Sequence, residues 1–217
     1  MSRSARATGL AVPALAGALV GGLASARADR YEASLHVQPA AGIARVGAPG
    51  TDERARVTSV GVSVRFTYGL RHWLALEAEA GGAVLGEARF TEVPVTISGG
   101  ATTIADIDRR ASTGRLTLGA TLRLGVAWIP TVSAGLGAQL RVDGAGTIAG
   151  SGLVPDGFAG GTRADAVAFT RIGLDRRLGR RWVVGASAGA SRAFAAPAID
   201  TLDVALHASA YWYPLWQ

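Results

Sequence analysis

The sequence predicts an all-β fold: an eight-stranded antiparallel up-and-down barrel whose strands cross a membrane, with short periplasmic turns and longer external loops. Three observations predict it. After residue 30, apolar residues alternate with small or polar ones at period two, which puts successive side chains on opposite faces of a strand. The faces opposite the apolar ones are rich in Gly, Ser and Thr. A solvated outer face would carry Lys, Glu and Gln, whereas small residues suit the crowded interior of a narrow barrel. The tryptophans and tyrosines collect near one set of turns rather than being scattered through the strands.

Eight segments carry the alternation. Tyr31, Ala33, Leu35 and Val37 oppose Glu32, Ser34, His36 and Gln38 in the first. In the second, Val60, Val62, Val64, Phe66 and Tyr68 oppose Ser59, Gly61, Ser63, Arg65 and Thr67. The third sets Leu74, Leu76, Ala78 and Ala80 against Ala75, Glu77 and Glu79. The fourth sets Leu116, Leu118, Ala120, Leu122 and Leu124 against Arg115, Thr117, Gly119, Thr121 and Arg123. The fifth sets Val132, Ala134, Leu136, Ala138 and Leu140 against Ser133, Gly135, Gly137, Gln139 and Arg141. In the sixth, the least regular, Phe169 shares a face with Arg171 and Asp175. Small residues dominate the seventh: Val184, Ala186, Ala188 and Ala190 against Gly185, Ser187, Gly189 and Ser191. In the eighth, Leu202, Val204, Leu206, Ala208, Ala210 and Trp212 oppose Asp203, Ala205, His207, Ser209 and Tyr211.

A soluble sandwich buries its apolar face, while a membrane barrel turns it outward to lipid and lines its lumen with the other. The aromatic residues favour the second arrangement. Trp73, Trp128, Trp182, Trp212 and Trp216 lie at tight turns or the C-terminus, with Tyr31, Tyr68, Tyr211 and Tyr213 at strand ends on the same side. Consecutive hairpins gather these rings at one rim, and indole and phenol rings favour the headgroup level of a bilayer. Short connections near 69–72, 127–131 and 177–181 alternate with long ones at 39–57, 83–113 and 143–164 and a shorter one at 195–200. An even strand count puts both termini on the short-turn side and closes the sheet, so no edge lacks hydrogen-bond partners.

Composition agrees. The chain is 49% hydrophobic and 18% charged over 217 residues, against roughly 25% charged in soluble domains. Cysteine is absent, which excludes a thiolate metal site, a cysteine nucleophile and a lipid-anchored cysteine. All 22 basic residues are arginine and the net charge is +6, but the arginines are scattered, so nucleic-acid binding is not expected. Residues 1–28 read as a cleaved signal peptide: Arg3 and Arg6, an uncharged Ala/Leu/Val/Gly stretch over 9–23, and small-x-small sites ending at Ala26 and Ala28. Residues 29–217 then form the barrel.

These features together resemble the small eight-stranded outer-membrane barrels of Gram-negative bacteria, the OmpA- and OmpX-like proteins. The resemblance covers about 29–217 and includes a terminal strand, 202–216, similar to the family's assembly signal. Pro214 and a penultimate Trp216 depart from that signal. The resemblance implies location and topology rather than a specific activity. The expected partners are outer-membrane lipid, lipopolysaccharide and the barrel-assembly machinery, with a monomeric state and no cofactor or metal.

The lumen is expected to hold Glu32, His36, Arg65, Glu77, Glu79, Arg123, Gln139, Arg141, Arg171, Asp175, Asp203 and His207. Charges in a narrow interior are paired or hydrated, so an Arg–carboxylate network is expected, with Glu77 and Glu79 facing Arg65 and Arg123. Three other constellations carry possible chemistry. His207 and Ser209 share a strand face, as a Ser–His pair requires, but no acidic residue follows and the pair faces the lumen. Asp106 and Asp108 fall in the long 83–113 connection, too few for a calcium site of 6–8 oxygens. Arg109-Arg110 beside them could meet lipopolysaccharide phosphates. The leading expectation is a non-enzymatic envelope protein acting through its external loops. The alternatives are a lipid A-modifying barrel enzyme, a narrow ion or small-solute channel, and a soluble periplasmic ligand-binding barrel.

Overall fold

The computed structural model describes residues 31–50, 53–97, 100–125, 128–179, 181–194 and 198–213. The expected signal peptide, Pro214 and Trp216 lie outside the described residues. Nine strands follow in chain order: β1 (Ala33–Gly47), β2 (Arg54–Arg71), β3 (Leu74–Thr96), β4 (Thr102–Arg123), β5 (Trp128–Asp143), β6 (Thr147–Ile148), β7 (Gly161–Leu178), β8 (Trp182–Phe194) and β9 (Ile199–Trp212). No helix occurs among the described residues.

Eight of the strands form one antiparallel ring, β1-β2-β3-β4-β5-β7-β8-β9, closed where β9 pairs with β1. The two-residue β6 stands outside the ring and pairs with Ile107 and Asp108 of β4. Closure follows from the alternation. Each strand has one face apolar enough to leave outside and one face small or polar enough to fit inside.

The outward face is apolar along successive rows. Across β2, β1, β9 and β8 the rows read Thr58–Ile43–Leu202–Ala190, Val60–Ala41–Val204–Ala188, Val62–Pro39–Leu206–Ala186, Val64–Val37–Ala208–Val184 and Phe66–Leu35–Ala210–Trp182. Pro39 lacks an N–H, and the β1–β9 ladder is interrupted beside it, between Val37 and Ala40. From Arg45 down to Leu35 is ten residues; at roughly 3.3 Å each and a tilt of about 40°, they rise about 25 Å, the height of an outer-membrane barrel's apolar band. Leu118, Leu136 and Leu206 are 66%, 66% and 68% exposed on this wall, whereas Glu79 inside is 1% exposed. A soluble barrel with an apolar cavity would reverse those figures.

Below the band sits the aromatic rim. Trp73, Trp128, Trp182, Trp212, Tyr31 and Tyr213 are exposed there and Tyr68 is half-buried. Tyr31 meets Tyr68 at 6.5 Å between ring centroids, Phe66 meets Trp212 at 6.3 Å, and the Arg176 guanidinium lies 4.9 Å over Trp128. Tyr211 differs from its neighbours. It points inward, is buried, and donates its hydroxyl to the Gly179 carbonyl at 3.0 Å, so it helps close the lower mouth.

Two expected loops prove to be strand. β1 and β2 run on to Gly47 and Arg54, leaving 48–53 as their connection rather than 39–57. The segment 83–113 is not a loop. β3 and β4 pair as far as Thr96 and Thr102, a hairpin that continues past the point where β2 stops pairing at Leu85. Irregularities between Leu85 and Ala88 and between Phe90 and Val93 shift the pairing, and Glu92 takes a positive φ of 55°. Each bulge resets which residues face inward, so strict alternation fails although the strand continues.

Inside, the polarity changes with height. The lower and middle lumen is polar. The upper lumen holds an apolar cluster in which Val46, Val57, Leu85, Phe90, Ile107 and Phe158 pack together, with Arg109 and Arg141 also buried at that end. The Phe169 ring lies among the polar residues, 5.3 Å from the Arg171 guanidinium and over Gly119 and Gly135. Cβ atoms on Gly119 and Gly135 would lie 2.9 and 2.6 Å from that ring, so only glycine fits at both positions. This places the irregular inward Phe of the sixth segment: its ring occupies the room left by two facing glycines. The described lumen cavities, about 50 and 20 Å³, hold a few waters at most.

Candidate functional site

The lumen network is built by inward positions of the ring strands. At its lower end, Glu32 accepts from Arg123 at 3.2 Å and from Arg177 at 2.5 Å, and Arg123 also donates to Thr67 at 2.6 Å. One level higher, Glu77 lies 3.8 Å from Arg65 and 3.6 Å from Arg171, and accepts the Thr121 hydroxyl at 2.5 Å. Glu79 binds Arg115 at 2.6 Å and also pairs with Arg171 across the lumen. Asp203 lies 3.9 Å from Arg115, and Asp175 pairs with His207 at 2.8 Å. Five guanidinium groups thus share the polar lumen with five carboxylates, four of them paired to arginine and Asp175 to His207, so the formal Arg and carboxylate charges are equal in number.

The expected partners of Glu77 and Glu79 are corrected in part. Arg65 does face Glu77, but Arg123 pairs with Glu32, and the remaining arginines are Arg171 and Arg115. Arg141 belongs elsewhere too. It is fully buried near the upper end, bound to Asp143 at 2.6 Å, and Asp143 also faces Arg109 at 3.5 Å. Gln139 is buried and lines the 50 Å³ cavity with Asp203. Arg177 is a further lumen residue: in the sequence its segment reads as a turn, yet β7 continues to Leu178 and Arg177 pairs with Glu32. Arg115 was legible as inward, and only its partner was hidden.

Histidine geometry bears on catalysis. Arg65 can only donate, so its contact with His36 Nδ1 at 3.3 Å makes that nitrogen the acceptor. His36 Nε2 then carries the proton and donates to Ser34 Oγ at 2.9 Å. A general base needs the opposite polarity, accepting the hydroxyl proton. His207 behaves similarly: Asp175 accepts from Nε2, and Ser209 bonds the Val183 carbonyl at 3.4 Å rather than the imidazole. The two histidine rings meet edge to face at 5.4 Å. The expected His207–Ser209 pair shares a face without forming a hydrogen-bonded dyad.

The external candidates are also placed. Asp108 is clamped by Arg89 through bonds of 2.7 and 2.8 Å, and Asp106 accepts the Glu92 amide at 3.1 Å. Arg109 points inward, is buried, and donates to the Gly144 carbonyl at 3.1 Å; Arg110 pairs with Glu87 at 2.9 Å. Arg109 is therefore unavailable to surface phosphates. The Arg89 hydrogen bonds hold the Asp108 carboxyl below its ordinary value and raise the guanidinium above its own. A depressed carboxyl pKa contributes stability above the unfolded value of about 3.9, and loses it as pH falls through the folded pKa. A carboxyl-carbon NMR titration is expected to place the Asp108 midpoint below about 3.9, and Arg89→Gln to return it to the ordinary range. A midpoint unchanged by Arg89→Gln contradicts the clamp.

Solved structures match the ring. The outer membrane protein OprG from Pseudomonas aeruginosa superposes with a TM-score of 0.51 at 9% identity, covering 88% of this chain and 100% of that one. The chain has the fold of the small outer-membrane β-barrels. Two others are similar at the same level of architecture. Ail, the attachment invasion locus protein of Yersinia pestis, gives a TM-score of 0.49 at 16% identity, covering 85% and 100% of the two chains. Neisserial surface protein A gives 0.48 at 10%, covering 83% and 97%. No family model matches the chain, and no curated protein does.

Proposed function

We propose that this chain is an integral outer-membrane protein without enzymatic activity. It would be exported by a cleaved signal peptide at 1–28, stay monomeric, and meet surface partners through its external β3–β4 hairpin. The observation that carries the reading is the outer wall: an apolar band of membrane height, bounded below by the aromatic rim. Lipid offers no hydrogen bonds to an open edge, and this sheet has none in its ring. The paired charges and small cavities of the lumen favour a structural interior over a solute path. The projecting hairpin presents Glu87, Arg89, Asp108 and Arg110 beyond the barrel, the part of the chain best placed to touch another surface.

Because the sequence has no cysteine, single substitutions report topology without background. In intact cells expressing the full chain, Thr103→Cys at the hairpin is expected to react with a membrane-impermeant maleimide. His72→Cys at a short turn is expected to react only after the outer membrane is opened, and the protein to sediment with outer-membrane markers. Equal labelling of both sites, or recovery in the soluble periplasm, overturns the reading.

A further inference from the structure

We propose that the outer wall of β1, β2, β8 and β9 is a binding site for one phosphate-bearing, acylated lipid, its phosphates on an arginine row and an acyl chain in the groove beneath. The proposal rests on the reading that this wall faces lipid. Directly above the apolar rows, the next row across the same four strands is Arg56–Arg45–Asp200–Arg192. Arg54, one row further up β2, reaches Asp200 at 3.3 Å, and Arg192 lies 3.6 Å from the other oxygen of the same carboxylate. Asp200 thus occupies Arg54 and Arg192, while Arg45 and Arg56 have no carboxylate partner among the described residues. Four guanidinium groups against one carboxylate leave a local charge of +3.

These residues do not form a flat patch. Arg45, Arg56 and Asp200 rim a hollow of about 310 Å³ whose lower edge is Ile43 and Leu202. Ile43 and Leu202 are 52% and 62% exposed, so a ligand in the hollow touches charge above and hydrocarbon below. Two residues further down each strand, a second concavity of about 830 Å³ opens on the same face, lined by Ala41, Val60, Ile172, Ala188, Val204 and Leu206. It exists because at this height β8 offers Ala186, Ala188 and Ala190 outward, while β7 and β9 flank it with Ile172, Leu202 and Leu206. The head site and the groove are stacked along β1 and β9. Guanidinium groups bind phosphate through forked, charge-assisted hydrogen bonds. A chain in the groove would leave its phosphate level with the arginine row, where the headgroup region begins.

Native mass spectrometry of the full chain, extracted in a neutral detergent, tests the site. Bisphosphorylated hexa-acyl lipid A, phosphatidylcholine and inorganic phosphate serve as separate probes. Lipid A is expected to bind more tightly than phosphatidylcholine. The double variant Arg45→Gln/Arg56→Gln is expected to weaken lipid A by about tenfold or more and to leave phosphatidylcholine unchanged. Ala188→Phe, which fills the groove, is expected to weaken lipid A while sparing inorganic phosphate, and Arg71→Gln at the opposite end to change nothing. Each variant is first required to keep the wild-type difference in gel migration between heated and unheated samples. Lipid A binding unaffected by the double variant overturns the proposal, as does equal affinity for phosphatidylcholine. If inorganic phosphate displaces lipid A completely and Ala188→Phe has no effect, the acyl half is wrong. Failure here with the maleimide pattern intact rejects the lipid site alone.

Discussion

Glu79→Ala is expected to destabilise the folded barrel by about 3–5 kcal/mol, the cost of leaving buried charge without its partner. Glu79 is 1% exposed and binds two guanidinium groups, Arg115 and Arg171. Its removal takes a carboxylate partner from both, and Arg171 is itself buried. Among the described residues, the carboxylate left to Arg171 is Glu77 at 3.6 Å, and that left to Arg115 is Asp203 at 3.9 Å. Urea unfolding in lipid vesicles, followed by tryptophan fluorescence, measures the loss. Glu87→Ala removes a carboxylate with one arginine partner on the exposed hairpin, and an exposed pair contributes about 0–1 kcal/mol. If the two variants lose the same stability, the lumen network is not what holds the barrel's interior together.

Leu118→Arg is the second large effect. Leu118 lies outward in the middle of the wall, across from Ala78 on β3 and Leu136 on β5. A guanidinium at the bilayer midplane of a barrel costs about 2–4 kcal/mol, and near the interface about 0–1 kcal/mol. The same substitution at Val142, near the upper end of β5, is therefore expected to cost much less. A soluble barrel would show no such dependence on height, because both positions would be wet. Refolding into vesicles of each variant, compared by midpoint of urea denaturation, separates the two cases.

The fold was legible in the sequence because period two survives wherever pairing is regular. Leu116 to Arg123 reads correctly residue by residue. The projecting hairpin was not legible, because the bulges near Leu85 and Phe90 shift the inward phase twice within a few residues. The upper apolar cluster was hidden for a related reason: Val46 and Ala48 look like the start of a loop, and become core only when Phe90, Ile107 and Phe158 close over them. Inward charge was legible, but its pairing was not. Glu79 and Arg171 are 92 positions apart and meet across the lumen, which depends on strand tilt and stagger rather than on any local pattern. The arginine row outside combines two local hairpin pairs, Arg45–Arg56 and Arg192–Asp200, which become one row only through ring closure at β1–β9.

The central claim is that the alternating apolar face meets lipid and the polar face fills the lumen. Spin labels on single cysteines at each position from 202 to 209, in the full chain reconstituted into bilayers, test it most directly. Collision with oxygen, which concentrates in hydrocarbon, is expected to be high at 202, 204, 206 and 208 and low at 203, 205, 207 and 209, with little access to a water-soluble nickel chelate at the even positions. The opposite phase, or strong nickel access at the even positions, would contradict the account.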